Sequence, residues 1–195
     1  MKLAKIGVIG NGNVGGALVK GLSSAGYEVQ AVGNNVDDVR RVSSWADIVV
    51  LAVPFTALNA VADIIRENII GKVIVDATNA LDSEMNLALG FTSSGAETLQ
   101  KNLFGSYVVK AFNTVFAQHM ASGSLDNQKL TSFVSSDHDK SKEVVIKLAT
   151  DIGFDAIDAG PLKNARLLEP MAYFNIQLGY VLGMGTQIGL KLIHD

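Results

Sequence analysis

"KLAKIGVIGNGNVGGALVKGL", residues 2–22, sets Gly10, Gly12 and Gly15 straight after an apolar run and at the opening of a helical pattern. Glycine inside a helix costs about 1 kcal/mol relative to alanine, so these positions need a reason. Gly10-Asn11-Gly12-Asn13-Val14-Gly15 fits G-x-G-x-x-G. On its own that pattern is weak, but here it joins a strand to a helix at the start of a βα unit, the context of a dinucleotide site. The first glycine permits a sharp turn, the second lets a pyrophosphate approach the backbone, and the third lets helix and strand pack closely. Unpaired N–H groups at the helix start, helped by the helix dipole, then hold a diphosphate without a cationic side chain. Glycines serving tight packing alone are the rival explanation.

Outward from this turn, apolar runs of strand length recur at 5–10, 27–32, 47–53, 72–76, 107–111, 130–134 and 154–158. Most are continuous, as in strands covered on both faces. Helical patterns at 14–25, 56–68, 96–102 and 140–152 alternate with them. The alternation predicts an α/β fold: a Rossmann-type, doubly wound, mostly parallel sheet with helices on both sides. The stretch between Val32 and Asp47 leaves room only for a turn or a helical stub. From Pro161 the pattern turns helical, so residues 1–160 are expected to form the dinucleotide-binding domain and 161–195 a small C-terminal helical appendage. The apolar stretch 175–193 reads as a buried or subunit-facing helix, because its glycines and amides lower its apolarity below that of a membrane span. If exposed, it would favour a homodimer.

Composition narrows the function classes. The 195 residues carry a net charge of -3 and no cysteine. No basic cluster interleaves with aromatics, so nucleic acid is not an expected partner. The absence of cysteine removes disulfides, thiolate ligands and a Cys nucleophile, and agrees with a reducing cytoplasm. The start does not read as a signal peptide. His119, His138 and His194 are scattered and make no metal site, and no Gly-x-Ser-x-Gly elbow is present.

Ligands of an open parallel sheet bind outside the carboxyl ends of its strands. After the second run, "AVGNNVDDVRR" has Gly33, Asn34 and Asn35 where NAD-preferring sites place a carboxylate, and Arg40 and Arg41 follow. NADP is favoured, although Asp37 and Asp38 argue the other way if the loop folds back. At the other ends, Val53 and Pro54 offer apolar contact, and Asn79, Asn113 and Thr114 offer neutral hydrogen bonds. No acid or base stands there apart from Lys110 inside a strand; His119 is the nearest other candidate and reads more simply as a surface histidine. Hydride transfer between two aromatic rings needs no such group, whereas reduction of a carbonyl generally does.

"IGVIGNGNVGGAL", "ADIVVLAVP", "KVIVDATNAL", "VVKAFNTV" and "DIGFDAIDAGPLKNARLLEP", in this order, resemble the coenzyme F420-dependent NADP oxidoreductase family, which includes the cytosolic domain of ferric-reducing membrane proteins. The resemblance implies NADP(H) on the glycine turn, with a deazaflavin (F420) or a flavin (FMN or FAD) against the nicotinamide. By motif, it assigns Gly10 to Gly15 to the diphosphate, Asn34 and Asn35 to the 2′-phosphate, Val53 and Pro54 to the adenosine side, and Asn79 and Asn113 to the nicotinamide side. NADP-binding members often carry Ser-Arg where this chain has Asn34-Asn35. Two other readings stay open: an imine or carbonyl reductase completed by a dimer partner, and a non-catalytic NADP(H) redox sensor.

Overall fold

The computed structural model describes residues 4–194; residues 1–3 and 195, the ends of the two expected units, lie outside it. The chain runs β1 (Lys5–Ile9), α1 (Asn13–Ser24), β2 (Glu28–Val32), α2 (Val36–Trp45), β3 (Ile48–Leu51), α3 (Leu58–Ile65), β4 (Val73–Asp76), α4 (Gly95–Asn102) and β5 (Tyr107–Lys110). It continues through α5 (Ala117–Met120), β6 (Ser124–Leu125), β7 (Gln128–Lys129), β8 (Thr131–Val134), α6 (Asp139–Ile152), β9 (Asp155–Asp158) and α7 (Ala165–Ile176).

Strands β1 to β5 form one sheet in the order β2-β1-β3-β4-β5, every pair parallel. Strand alternation gives each face its own core. Ile6, Val8, Val50, Val75 and Val109 meet Leu18 and Leu22 of α1 and Val145 and Leu148 of α6. Ile9, Val49, Leu51, Ile74 and Val108 meet α2, α3 and α4. The fold is therefore the Rossmann-type doubly wound sheet expected, and the order reverses between β1 and β3, where such sheets bind ligands. Strands β8 and β9 pair in parallel and join the main sheet through a bridge between Lys110 and Ser135. A hairpin, β6 and β7, turns on Asp126 and Asn127, both at positive φ; two such residues suit a tight hairpin turn.

Two expectations need correction. Residues 36–45 form a full helix, not a stub. Asn35 caps it by accepting from Asp38 N at 3.0 Å, and Val39 and Val42 bury its inner side. The flanking strands are only four or five residues long, so a helix of about 15 Å suffices to return along them. The C-terminal region is also not helical throughout. After α7 a π-turn spans Gln177–Val181, and Gly183 and Gly185 adopt positive φ. The tail then runs back along β8: Thr131 N donates to Leu190 O at 2.9 Å, and Leu192 N to Thr131 Oγ1 at 2.8 Å. No helix among the described residues is long and apolar enough to cross a membrane.

At the carboxyl ends of β4 and β5 the register sets Asp76 opposite Lys110. Lys110 is fully buried and spends its three protons on Asp76 Oδ2 at 3.0 Å, Glu169 Oε1 of α7 at 2.8 Å and Thr78 O at 2.6 Å. Burial alone would push this ammonium down; Asp76 and Glu169 outweigh it and hold the pKa above the usual lysine range. Removing one partner of a buried pair leaves uncompensated charge. Lys110→Met is therefore expected to cost about 3–5 kcal/mol of unfolding free energy, measured by urea titration; a loss below about 1 kcal/mol would show that the cluster holds nothing together.

Candidate functional site

The glycine turn follows from two close approaches. Gly10 has φ +106°, and a Cβ there would lie 2.2 Å from Ala52 O of the β3 end. A Cβ on Gly15 would lie 1.8 Å from Gly10 O, so α1 starts hard against β1 only because neither residue has a side chain. Gly12 differs: a Cβ there meets nothing within 4 Å, and its space opens into the cleft above. Gly12 is the N-cap of α1 without a side-chain hydrogen bond, and no acidic residue occupies the first turn. Among the described residues, the N–H groups of Asn13, Val14 and Gly15 find no acceptor in the chain. Bare donors at the positive end of a helix, with room in front of them, suit an anion. The residues present thus fit a dinucleotide diphosphate.

Three cavities join across the strand ends. The first, about 540 Å³, runs over Gly10, Asn11, Gly12, Gly33 and Asn34 to Val53 and Pro54. It shares Gly12, Val53 and Pro54 with a second of about 490 Å³ that reaches Ala77, Thr78, Asn79 and the loop at Asp82 and Met85. That one shares Asn13, Val14 and Asn79 with a third of about 200 Å³, closed by Asn113, Thr114, Phe116, Asn175 and Tyr180. Together they form a trough of the size expected for an extended ligand.

Most of the residues singled out in the sequence come together here: Gly10, Asn11, Gly12, Asn13, Val14, Asn34, Val53, Pro54, Asn79 and Asn113 all line the trough. Gly15 lies buried beneath it. Asn35 is occupied in capping α2, and Arg40 lies on the exposed side of α2, 3.8 Å from Asp37, outside the trough lining. Arg41 is tied to Gln30 and Asp38. Asn34 alone of the Asn34-Asn35 pair faces the cavity.

The far end is built by mutual hydrogen bonding. Asn113 Nδ2 donates to Asn79 Oδ1 at 2.9 Å and to Leu168 O of α7 at 3.0 Å, and Asn79 Nδ2 donates to Asn113 O at 3.0 Å. The Leu168 carbonyl, which only accepts, orients the Asn113 amide and leaves Oδ1 buried without a donor. Asn175 of α7 donates to Thr114 O at 3.2 Å. Asp76 Oδ1 accepts from Thr78 N at 2.9 Å and Oγ1 at 2.7 Å, which fixes the start of the loop after β4. Pro170 cannot donate to Arg166 O within α7, and Phe91 N, from the same loop, does so instead at 3.0 Å. Arg166 in turn grips Glu97 with two nitrogens and holds its carboxyl below the usual carboxylate range, against the opposing effect of burial.

His119 is no surface histidine. It is buried, its Nε2 lies 3.0 Å from Thr186 O of the returning tail, and it lines none of the three cavities. A carbonyl only accepts, so Nε2 carries the proton of this bond. The cluster of Asp76, Lys110 and Glu169 was not foreseen. Its signal was readable in part: two apolar runs, "VIVD" and "YVVK", end in opposite charges. Glu169 carried none, because its partners lie 59 or more residues away in sequence.

No protein-family model matches the chain. Among curated proteins, the F420-dependent NADP reductase of Methanothermobacter thermautotrophicus is 34% identical over 141 residues, 68% of this chain and 60% of that protein. Metalloreductase STEAP3 of Rattus norvegicus is 26% identical over 181 residues, 85% of this chain and 36% of that protein. The chain therefore spans less than two thirds of the length of either relative. Among solved structures, a candidate F420-dependent NADP reductase from Arthrobacter sp. FB24 superposes with a TM-score of 0.88 at 26% identity, covering 98% of this chain and 100% of that one. In sequence and in fold the chain is thus similar to the F420-dependent NADP reductases.

Proposed function

We propose that the chain is an NADP(H)-dependent oxidoreductase that passes hydride between the nicotinamide and a flavin or deazaflavin acceptor such as F420. The observation that carries this reading is the chemistry of the trough lining. Its ionisable side chains are Asp82 and the phenol of Tyr180; the rest of the lining is glycine, amide, hydroxyl and apolar. A carbonyl or imine reductase needs a positioned acid, whereas His119 is turned into the tail, Asp82 Oδ1 is engaged by Glu84 N and Asn86 N, and Tyr180 is 67% exposed. Two stacked redox rings need only alignment and exclusion of water.

The bound nicotinamide would supply the hydride chemistry. The N–H groups of Asn13, Val14 and Gly15 would take the diphosphate, and Asn34 would meet the adenosine ribose or its phosphate. Val53 and Pro54 would pack on the adenosine side. At the other end, the orphaned Asn113 Oδ1 suits an amide N–H such as that of a carboxamide. A redox sensor would use the same contacts, and turnover separates the two. Mixing the protein with NADPH and either F420 or FMN is expected to give loss of nicotinamide absorbance that depends on acceptor; saturable binding with no turnover on any flavin-like acceptor would leave the sensor instead.

A homodimer is part of the same proposal, and the cysteine-free chain suits the reducing cytoplasm. Phe174, Tyr180, Val181, Leu182 and Met184 are each more than half exposed along one stretch beside the acceptor end. Monomers seldom carry such a run of apolar surface. Sedimentation is expected to find a dimer that Leu182→Asp weakens at least tenfold; a wild-type monomer at micromolar concentration would contradict it.

A further inference from the structure

Thr78, which lines the middle cavity of the trough, is hydrogen-bonded to a buried cluster whose formal charges do not cancel. The oxygens of Asp76 and Glu169 accept from N–H or O–H donors: Thr78 N, Thr78 Oγ1 and Lys110 Nζ on Asp76, and Lys110 Nζ, Gly95 N and Ala96 N on Glu169. Two acidic side chains in salt bridges with one lysine give the cluster a formal charge of one negative, with all three side chains 0% exposed. The N-terminus of α4 offsets part of it through Gly95 N and Ala96 N. The adjacent Glu97 and Arg166 pair with each other and add nothing net.

This charge is coupled closely to the trough. Lys110 and Asp76 both bind Thr78, which lines the middle cavity. Asn79, which lines both the middle and far cavities, is three residues past Asp76 and so no more than about 10 Å along the chain. Among the described residues no lysine, arginine or histidine lines any of the three cavities. A nicotinamide ring is cationic when oxidised and neutral when reduced, and a buried negative charge distinguishes the two.

We infer that the Asp76, Lys110 and Glu169 cluster biases the ring end of the cleft toward the oxidised, cationic nicotinamide, and so sets the direction of transfer on the protein from NADPH to the acceptor. The inference rests on the NADP(H) reading given above. In that direction a C–H bond at the nicotinamide C4 breaks, its hydrogen and electron pair pass to the flavin-like ring, and that ring takes its further proton from solvent. The nicotinamide is oxidised and left with a positive charge, the acceptor is reduced, and the cluster favours the charge that appears.

Glu169→Gln removes one charge at nearly constant shape. Calorimetric titration of wild type and variant with NADP+ and, separately, with NADPH yields the ratio of the two dissociation constants. Substitution is expected to move that ratio at least threefold toward NADPH. Asp76→Asn removes the other charge and must move the ratio the same way, which keeps the test decisive if Glu169→Gln does not fold. Wild-type protein must itself bind NADP+ more tightly than NADPH. Unchanged ratios with both forms bound, or a wild type that prefers NADPH, overturn the inference and leave the cofactor reading standing; a wild type that binds neither form overturns both.

Discussion

The contact of α1 with the end of β1 is the constraint on which the rest depends. With a Cβ on Gly15 only 1.8 Å from Gly10 O, and one on Gly10 only 2.2 Å from Ala52 O, the turn closes because both side chains are missing. That closure aims the unpaired N–H groups of the first helical turn along the strand ends, at the point where the sheet order reverses. It also explains why no cation is needed: the anion partner is backbone, held in place by the packing of Leu18 and Leu22 against the sheet.

A second set of interactions makes the C-terminal segment part of the site. α7 supplies Leu168 O to Asn113, Asn175 to Thr114 O, Glu169 to Lys110 and, through the carbonyl that Pro170 leaves free, Arg166 O to the loop after β4. The helix cannot shift without disturbing the amides at the far end of the trough. The cost of burying Lys110 is met by three acceptors converging from the end of β4, the loop after it and α7, the arrangement a buried charge requires.

The sheet was legible because its strands are short, apolar and covered on both faces, and because turn glycines separate them from the helices. The diphosphate end was legible for a related reason: Gly10, Gly12 and Gly15 are local in sequence, and their geometry is local too. The acceptor end was less so. Asn79 and Asn113 could be singled out as strand-end amides, but their mutual hydrogen bonds and the closure by Asn175 and Tyr180 are contacts between distant segments. Helix α2 was missed because a short segment looked too brief for a crossover, while the strands it links are equally short. The tail misled in the opposite way: its hydropathy suits a helix, but Gly183 and Gly185 turn it back along β8, where Thr131 pairs with Leu190 and Leu192. His119 is buried by that same return, which its neighbours in sequence do not announce.

The central claim is that bare backbone at the start of α1 holds a dinucleotide. Gly12 isolates it, since a Cβ there meets nothing within 4 Å and enters the space assigned to the ligand. The direct measurement is calorimetry of NADPH binding to wild type and Gly12→Val, with the melting temperature of each. The account predicts saturable binding to wild type, a loss of at least a hundredfold in the variant, and melting temperatures within a few degrees of each other. Undiminished NADPH affinity in a folded Gly12→Val protein would contradict it.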